Sequence, residues 1–243
     1  MARQPRRAHL PLKTAPPLAA ALLLAAGAAW LPAHAAEPAR AADGKPQHQQ
    51  QARRAGPALS QDAREVLAWV RASRDNAGLP FALIDKRGAA IHVFDAQGAL
   101  QASAPVLLGL ARGDDSVPGI GERPMAQIAP HERTTPAGRF VSEPGVNLQG
   151  EDIVWVHYDD AISLHRVRPT KASERRLQRL ASPTIEDNRI SYGCINAPAS
   201  FYDRFIAPTL GRHEGVVYVL PETRAAAQVF GYSGGAAPPA AKR

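Results

Sequence analysis

"FALIDKRGAAIHVFDAQGAL", residues 81–100, decides the fold class. Two runs rich in Phe, Ile, Val and Ala flank Asp85-Lys86-Arg87-Gly88, and a third begins after Asp95-Ala96-Gln97-Gly98. Asp bonds its own backbone and Gly accepts positive φ, so both tetrads are turn sequences. Short apolar runs between such turns read as strands, and the stretch predicts two linked hairpins. His92 falls inside "AIHVF", where it is expected as a surface or half-buried strand residue.

The same reading extends toward the C-terminus. In "RTTPAGRFVSE" Pro136 and Gly138 shape a turn before a strand around Arg139 to Ser142. "DIVWVHYDDAISLHRV", residues 152–167, gives two strands broken at Tyr158-Asp159-Asp160, and "HEGVVYVLPE" gives a last one. Between them "KASERRLQRLA", residues 171–181, reads as a short surface helix with Leu177 and Leu180 inward and a solvated basic face.

Upstream, in "SQDAREVLAWVRASRDNAG", Ser60 is an N-cap and Ala63, Val66, Leu67 and Val70 recur at helical spacing. Asn76 and Gly78 are expected to end that helix. The fold class is therefore mainly β. It comprises one β-rich domain over 79–222 with a few short helices, preceded by a helix over 59–78. Residues 36–58, almost free of large apolar side chains, read as a flexible tether, and 223–243 as a disordered tail.

The start of the chain sets the compartment. Arg3, Arg6, Arg7 and Lys13 precede an uncharged run from Leu18 to Leu31, which ends in "PAHAAE" with Ala33 and Ala35 at a small-x-small site. That order is a secretory signal peptide over 1–35, and the run is short for a membrane span of ~20 residues. The mature protein is expected in the periplasm. The leader holds four positives and no acid, so of the net charge of +7 the mature chain keeps +3. No basic run interleaved with aromatics occurs, which argues against a nucleic-acid partner. No His-Glu-x-x-His and no clustered cysteines occur, which argues against a metal site.

One cysteine, Cys194, occurs in 243 residues. In an oxidising compartment a single thiol forms no internal bridge, so it is either a buried hydrophobe or a free reactive group. It stands in "RISYGCINAP", residues 189–198, directly after Gly193. A glycine there permits tight backbone and lets a carbonyl approach without meeting a Cβ. A thiol nucleophile needs a base or cation beside it, because the thiolate attacks and the free thiol pKa is about 8.5. His48 lies in the tether, His92 in a strand, His131 in a loop and His213 in a turn. His157 and His165 lie at or near strand ends. His165 alternates with Ile162 and Leu164, so its ring faces away from that apolar pair and suits a cleft wall.

"SLHRV" at 163–167, followed by "SYGCIN" at 191–196, resembles the paired signature of the L,D-transpeptidase catalytic domain. "TTPAGRF" at 134–140 is similar to that family's upstream Thr-Pro-small-Gly-x-Phe stretch, and the opening hairpin is similar to its first strands. The resemblance spans roughly residues 80–221. It implies that Cys194 is the nucleophile, that His165 activates it, and that Ser191, Gly193 and Asn196 form the catalytic turn. Apart from the resemblance, the N–H groups of Tyr192, Gly193 or Cys194 are the natural oxyanion donors, and His157, on the neighbouring strand, is expected to contribute to substrate fit or packing. The implied substrate is a peptidoglycan stem peptide. A thioester would pass to an amine acceptor on a second stem or an envelope protein, with no metal or organic cofactor.

Two features depart from the family pattern. Tyr192 stands where the family carries histidine, and a phenol with pKa about 10 supplies no positive charge at neutral pH. The 25 residues between His165 and Ser191 exceed the family's usual gap. The extra length is the 171–181 segment, an insertion that could cap the cleft. Two other readings stay open: hydrolysis of the same bonds as an L,D-carboxypeptidase or endopeptidase, and a non-catalytic wall-binding domain.

Overall fold

Each position of "FALID" and of "AIHVF" is buried. A strand whose side chains alternate between two faces is buried throughout only if both faces are covered. The computed structural model describes residues 56–233. The expected leader, most of the tether and residues 234–243 lie outside them.

The first three strands are β1 (Phe81–Asp85), β2 (Ala90–Phe94) and β3 (Leu100–Pro105), joined by the two expected turns. β4 (Leu108–Gly109) pairs separately with β8 (Arg189–Ser191). β5 (Gly138–Val146), β6 (Asp152–His157) and β7 (Ile162–Arg166) form a meander, and β9 (Ile195–Ala197) and β10 (Gly215–Val219) complete the set. The main sheet has eight strands in the order β3-β2-β1-β10-β5-β6-β7-β9. β10 enters parallel to β1 and antiparallel to β5, and β9 adds parallel to β7.

Helix α1 (Gln61–Ser73) covers one face of the central strands. The Ser60 hydroxyl accepts from the Ala63 N–H at 3.1 Å, a direct N-cap. Ala63, Val66, Leu67 and Val70 pack against Phe81, Leu83, Phe94, Val216 and Tyr218. The helix stops at left-handed Arg74, before the expected Asn76–Gly78. Asn76 has another role: its Nδ2 donates to Leu79 O at 2.7 Å and Ala96 O at 2.9 Å, tying the helix exit to the hairpin. On the opposite face Ala82, Ile84, Ile91 and Val93 pack with Val154, Ile162, Leu164, Tyr202 and Ile206. Tyr202 and Ile206 belong to a helical stretch that runs from α3 (Ala199–Phe201) through a wider turn, Tyr202–Ile206, into α4 (Ala207–Thr209).

Three further expectations are corrected. His92 is fully buried, because both sheet faces are covered; its Nδ1 lies 2.7 Å from Ser103 Oγ, and burial favours the neutral ring. In the inserted segment α2 (Arg176–Ala181) turns Leu180 inward, but Leu177 is 51% exposed. Arg175 takes a left-handed conformation (φ 49°), so the helix starts at Arg176 and its inward face is Arg176 and Leu180, four residues apart. The expected tail begins with α5 (Ala226–Phe230), where Phe230 and Tyr232 stack on Trp69 at 5.9 and 5.2 Å between ring centres.

Candidate active site

The parallel pairing of β7 with β9 builds the site. Leu164 lies opposite Ile195 and His165 opposite Asn196, which sets Cys194, the residue before β9, beside the start of β7. Ile162 and Leu164 point into the core, so Ser163 and His165 share the other face. Cys194 Sγ lies 3.5 Å from Ser163 Oγ and 3.5 Å from Ala161 O. The His165 imidazole, on the same face of β7 as Ser163, is near enough to favour the charged form of the thiol.

His165 Nδ1 lies 2.7 Å from Arg166 O. A carbonyl only accepts, so Nδ1 carries the proton and Nε2, 3.4 Å from Asn196 Nδ2, is the basic nitrogen. Burial alone would push the Cys194 pKa up; the His165 imidazole, with the Ser163 hydroxyl, outweighs it and holds the thiol below its ordinary value. Cys194 itself is half-buried.

The turn is rigid for identifiable reasons. Ser191 Oγ donates to Cys194 O at 2.6 Å and accepts from the Gly193 N–H at 3.1 Å. Thr135 Oγ1 donates to Gly193 O at 2.8 Å and accepts from the Gly109 N–H at 2.9 Å. Gly193 has φ 132°, and a Cβ there would fall 2.6 Å from Ile162 Cδ1 and 2.7 Å from Thr134 O. Only glycine fits that position without displacing the Thr134 backbone. Because Ser191 occupies the Gly193 N–H, it is not free for an oxyanion. Among the described residues no acceptor engages the N–H of Tyr192 or of Cys194.

Asn196 joins the turn to the base. Its Nδ2 lies 3.2 Å from Cys194 O and 3.4 Å from His165 Nε2. Its Oδ1 accepts from Arg176 Nη1 at 2.6 Å, and Arg176 Nε is paired with Glu174 at 2.5 Å. The 171–181 segment thus delivers a side chain to Asn196 and fixes its amide orientation. Sequence reading missed Arg176; the signal was its four-residue spacing from Leu180.

His157 is not brought to the thiol. A register shift after Trp155 re-aims it, and its Nδ1 faces Asp160 at 2.8 Å beside the Phe140 ring. Tyr192 carries the Arg133 guanidinium over its ring at 3.9 Å.

Behind the turn lies a buried ionic cluster. Lys86 Nζ donates to Asp114 at 2.8 Å and to Thr135 O at 2.9 Å, both charges being fully buried. Arg189 pairs with Glu222 at 2.6 Å and donates to Lys86 O at 2.8 Å. The cluster anchors the same Thr135 that holds Gly193.

No protein-family profile matches the sequence. No curated protein matches it either. Among solved structures it is similar to the helical cell shape determining protein Pgp2 from Campylobacter jejuni, at 13% identity over 68% of this chain and 58% of that one, with a TM-score of 0.40. It is also similar to an L,D-transpeptidase from Mycobacterium smegmatis, at 17% identity over 58% of each chain and a TM-score of 0.32. The catalytic domain of the L,D-transpeptidase from E. faecium matches at 17% identity over 58% of this chain and 96% of its own, with a TM-score of 0.32. The chain spans little more than half the length of the first two. Likeness at this level does not define a function.

Proposed function

We propose that this protein is a cysteine acyltransferase of the L,D-transpeptidase type, acting on peptidoglycan stem peptides in the periplasm. The observation that carries it is the β7–β9 register that sets the Cys194 thiol beside Ser163 and His165, with the His165 proton fixed on Nδ1 by Arg166 O. The motif resemblance supplies the substrate class, and the basic, apolar, small-residue leader supplies the compartment.

His165 Nε2 takes the Cys194 proton. The thiolate attacks the carbonyl of the third stem residue, and the oxyanion meets the N–H groups of Tyr192 and Cys194. The tetrahedral intermediate collapses to a thioester as the imidazolium gives its proton to the departing D-alanine amine. An acceptor amine then attacks the thioester, passes its proton to His165 and releases the thiolate. His165 needs no carboxylate partner for this, because Arg166 O stabilises the imidazolium through Nδ1.

Incubation with a tetrapeptide muropeptide, followed by mass spectrometry of protein and products, tests the reading. A Cys194 adduct lacking D-alanine, and a cross-linked product, are expected. Tripeptide without cross-link would assign the hydrolase instead. No adduct and no product would leave a binding domain.

A further inference from the structure

We propose that Arg133, held on the ring of Tyr192, is a carboxylate-binding group beside Cys194 that selects substrates carrying an anionic group next to the attacked carbonyl. The proposal rests on Cys194 being the nucleophile.

Tyr192 lies two residues before Cys194, and the Arg133–Thr135 segment is bound to the turn through the Thr135 hydroxyl and Gly193 O at 2.8 Å. Arg133 Nε and Nη2 both donate to Ile128 O, at 3.1 and 2.9 Å, which fixes the plane of the guanidinium against the ring. Nη1 has no partner among the described residues.

Charge distinguishes Arg133 from many of the other arginines. Arg123 pairs with Glu132, Arg166 with Asp152 and Asp203, Arg176 with Glu174, and Arg189 with Glu222. Arg133 has no carboxylate partner among the described residues. It is a half-buried cation, already ordered, with N–H groups left to donate. A planar guanidinium in that state matches a carboxylate by geometry as well as charge, and little ordering entropy remains to be lost on binding.

The same arrangement accounts for Tyr192. A phenol ring attracts a guanidinium through its negative face, whereas a protonated imidazole would repel it. Tyrosine at this position gives up a ring charge and gains a separate cation on the turn that carries Cys194.

The test compares two alkylating reagents of nearly equal size on the full chain, iodoacetate and neutral iodoacetamide, with modification read by mass spectrometry. In Arg133→Gln the iodoacetate rate is expected to fall about three- to ten-fold at low salt, while the iodoacetamide rate stays within about twofold. Salt of about 0.5 M should bring wild type toward the variant, because screening shortens the reach of the charge. Tyr192→Phe should keep the preference and Tyr192→Ala lose it. Arg87→Gln removes one charge at a distant exposed turn and should leave both rates unchanged. Equal slowing with both reagents would make Arg133 merely structural, and an unchanged ratio would remove the carboxylate site; either result overturns the proposal. No adduct from either reagent in wild type would overturn the nucleophile and the proposal with it.

Discussion

The centre and the far end of the sheet are built on different terms. In β1, β2 and β10 every position is buried, between α1 on one face and the Tyr202–Ile206 layer on the other. At the β7–β9 end one face packs on the core and the other holds Ser163, His165, Cys194 and Asn196 around a thiol. Apolar burial at the centre is redundant, spread over many side chains. The far end depends on single hydrogen bonds and one parallel register. Stability and reactivity should therefore respond to different substitutions.

The largest effect is expected at the centre. Phe81 is fully buried and stacks on Phe94 at 4.8 Å. Phe81→Ala should cost about 3–5 kcal/mol of unfolding free energy. Where the variant remains folded, its Cys194 alkylation rate should match wild type. A comparable loss of reactivity in folded protein would break the division between the two regions.

The ionic cluster joins them, and its contribution depends on pH. Burial alone would raise the Asp114 pKa; Lys86, Thr223 and backbone N–H groups outweigh it and hold the carboxyl well below the ordinary range. A carboxyl depressed on folding stabilises the protein fully above its unfolded pKa, and that contribution is lost as pH falls toward the folded value. Asp114→Asn leaves buried Lys86 with Glu222, at 3.8 Å, as its remaining carboxylate, at a cost of about 3–5 kcal/mol near pH 7. The gap to wild type should narrow below about pH 4. Urea unfolding at the two pH values measures it, and a gap independent of pH would remove the ion pair from the account.

A smaller effect belongs to the insertion. Arg176→Ala frees the Asn196 amide and should slow alkylation about two- to ten-fold, the equivalent of one hydrogen bond of ~0.5–1.5 kcal/mol. Unfolding free energy should change by less than about 1 kcal/mol. A large stability loss with unchanged reactivity would make Arg176 part of the scaffold alone.

What the sequence made legible follows interaction range. The hairpins were readable because "DKRG" and "DAQG" are local turn chemistry, and α1 because Ser60 and the Ala63-to-Val70 stripe are local too. Cys194 and His165 stood out through short motifs that the β7–β9 pairing brings together. The insertion of β10 between β1 and β5 was not readable, since it depends on contacts far apart in sequence. His92 reads as a half-buried strand residue until α1 is known to cover its sheet. Lys86 reads as an ordinary turn lysine until Asp114, 28 residues on, is placed against it. Arg176 depends on the left-handed Arg175, which sets where α2 starts and so which residues face inward.

The central claim is that His165 makes Cys194 a nucleophile against the opposing effect of burial. Iodoacetamide alkylation rates across pH, for wild type and for folded His165→Ala, test it directly. Wild type should reach half-maximal rate below the ordinary thiol value of about 8.5, and His165→Ala at or above it, because burial remains after the imidazole is gone. Superimposed profiles, or a wild-type midpoint at or above 8.5, would contradict the claim.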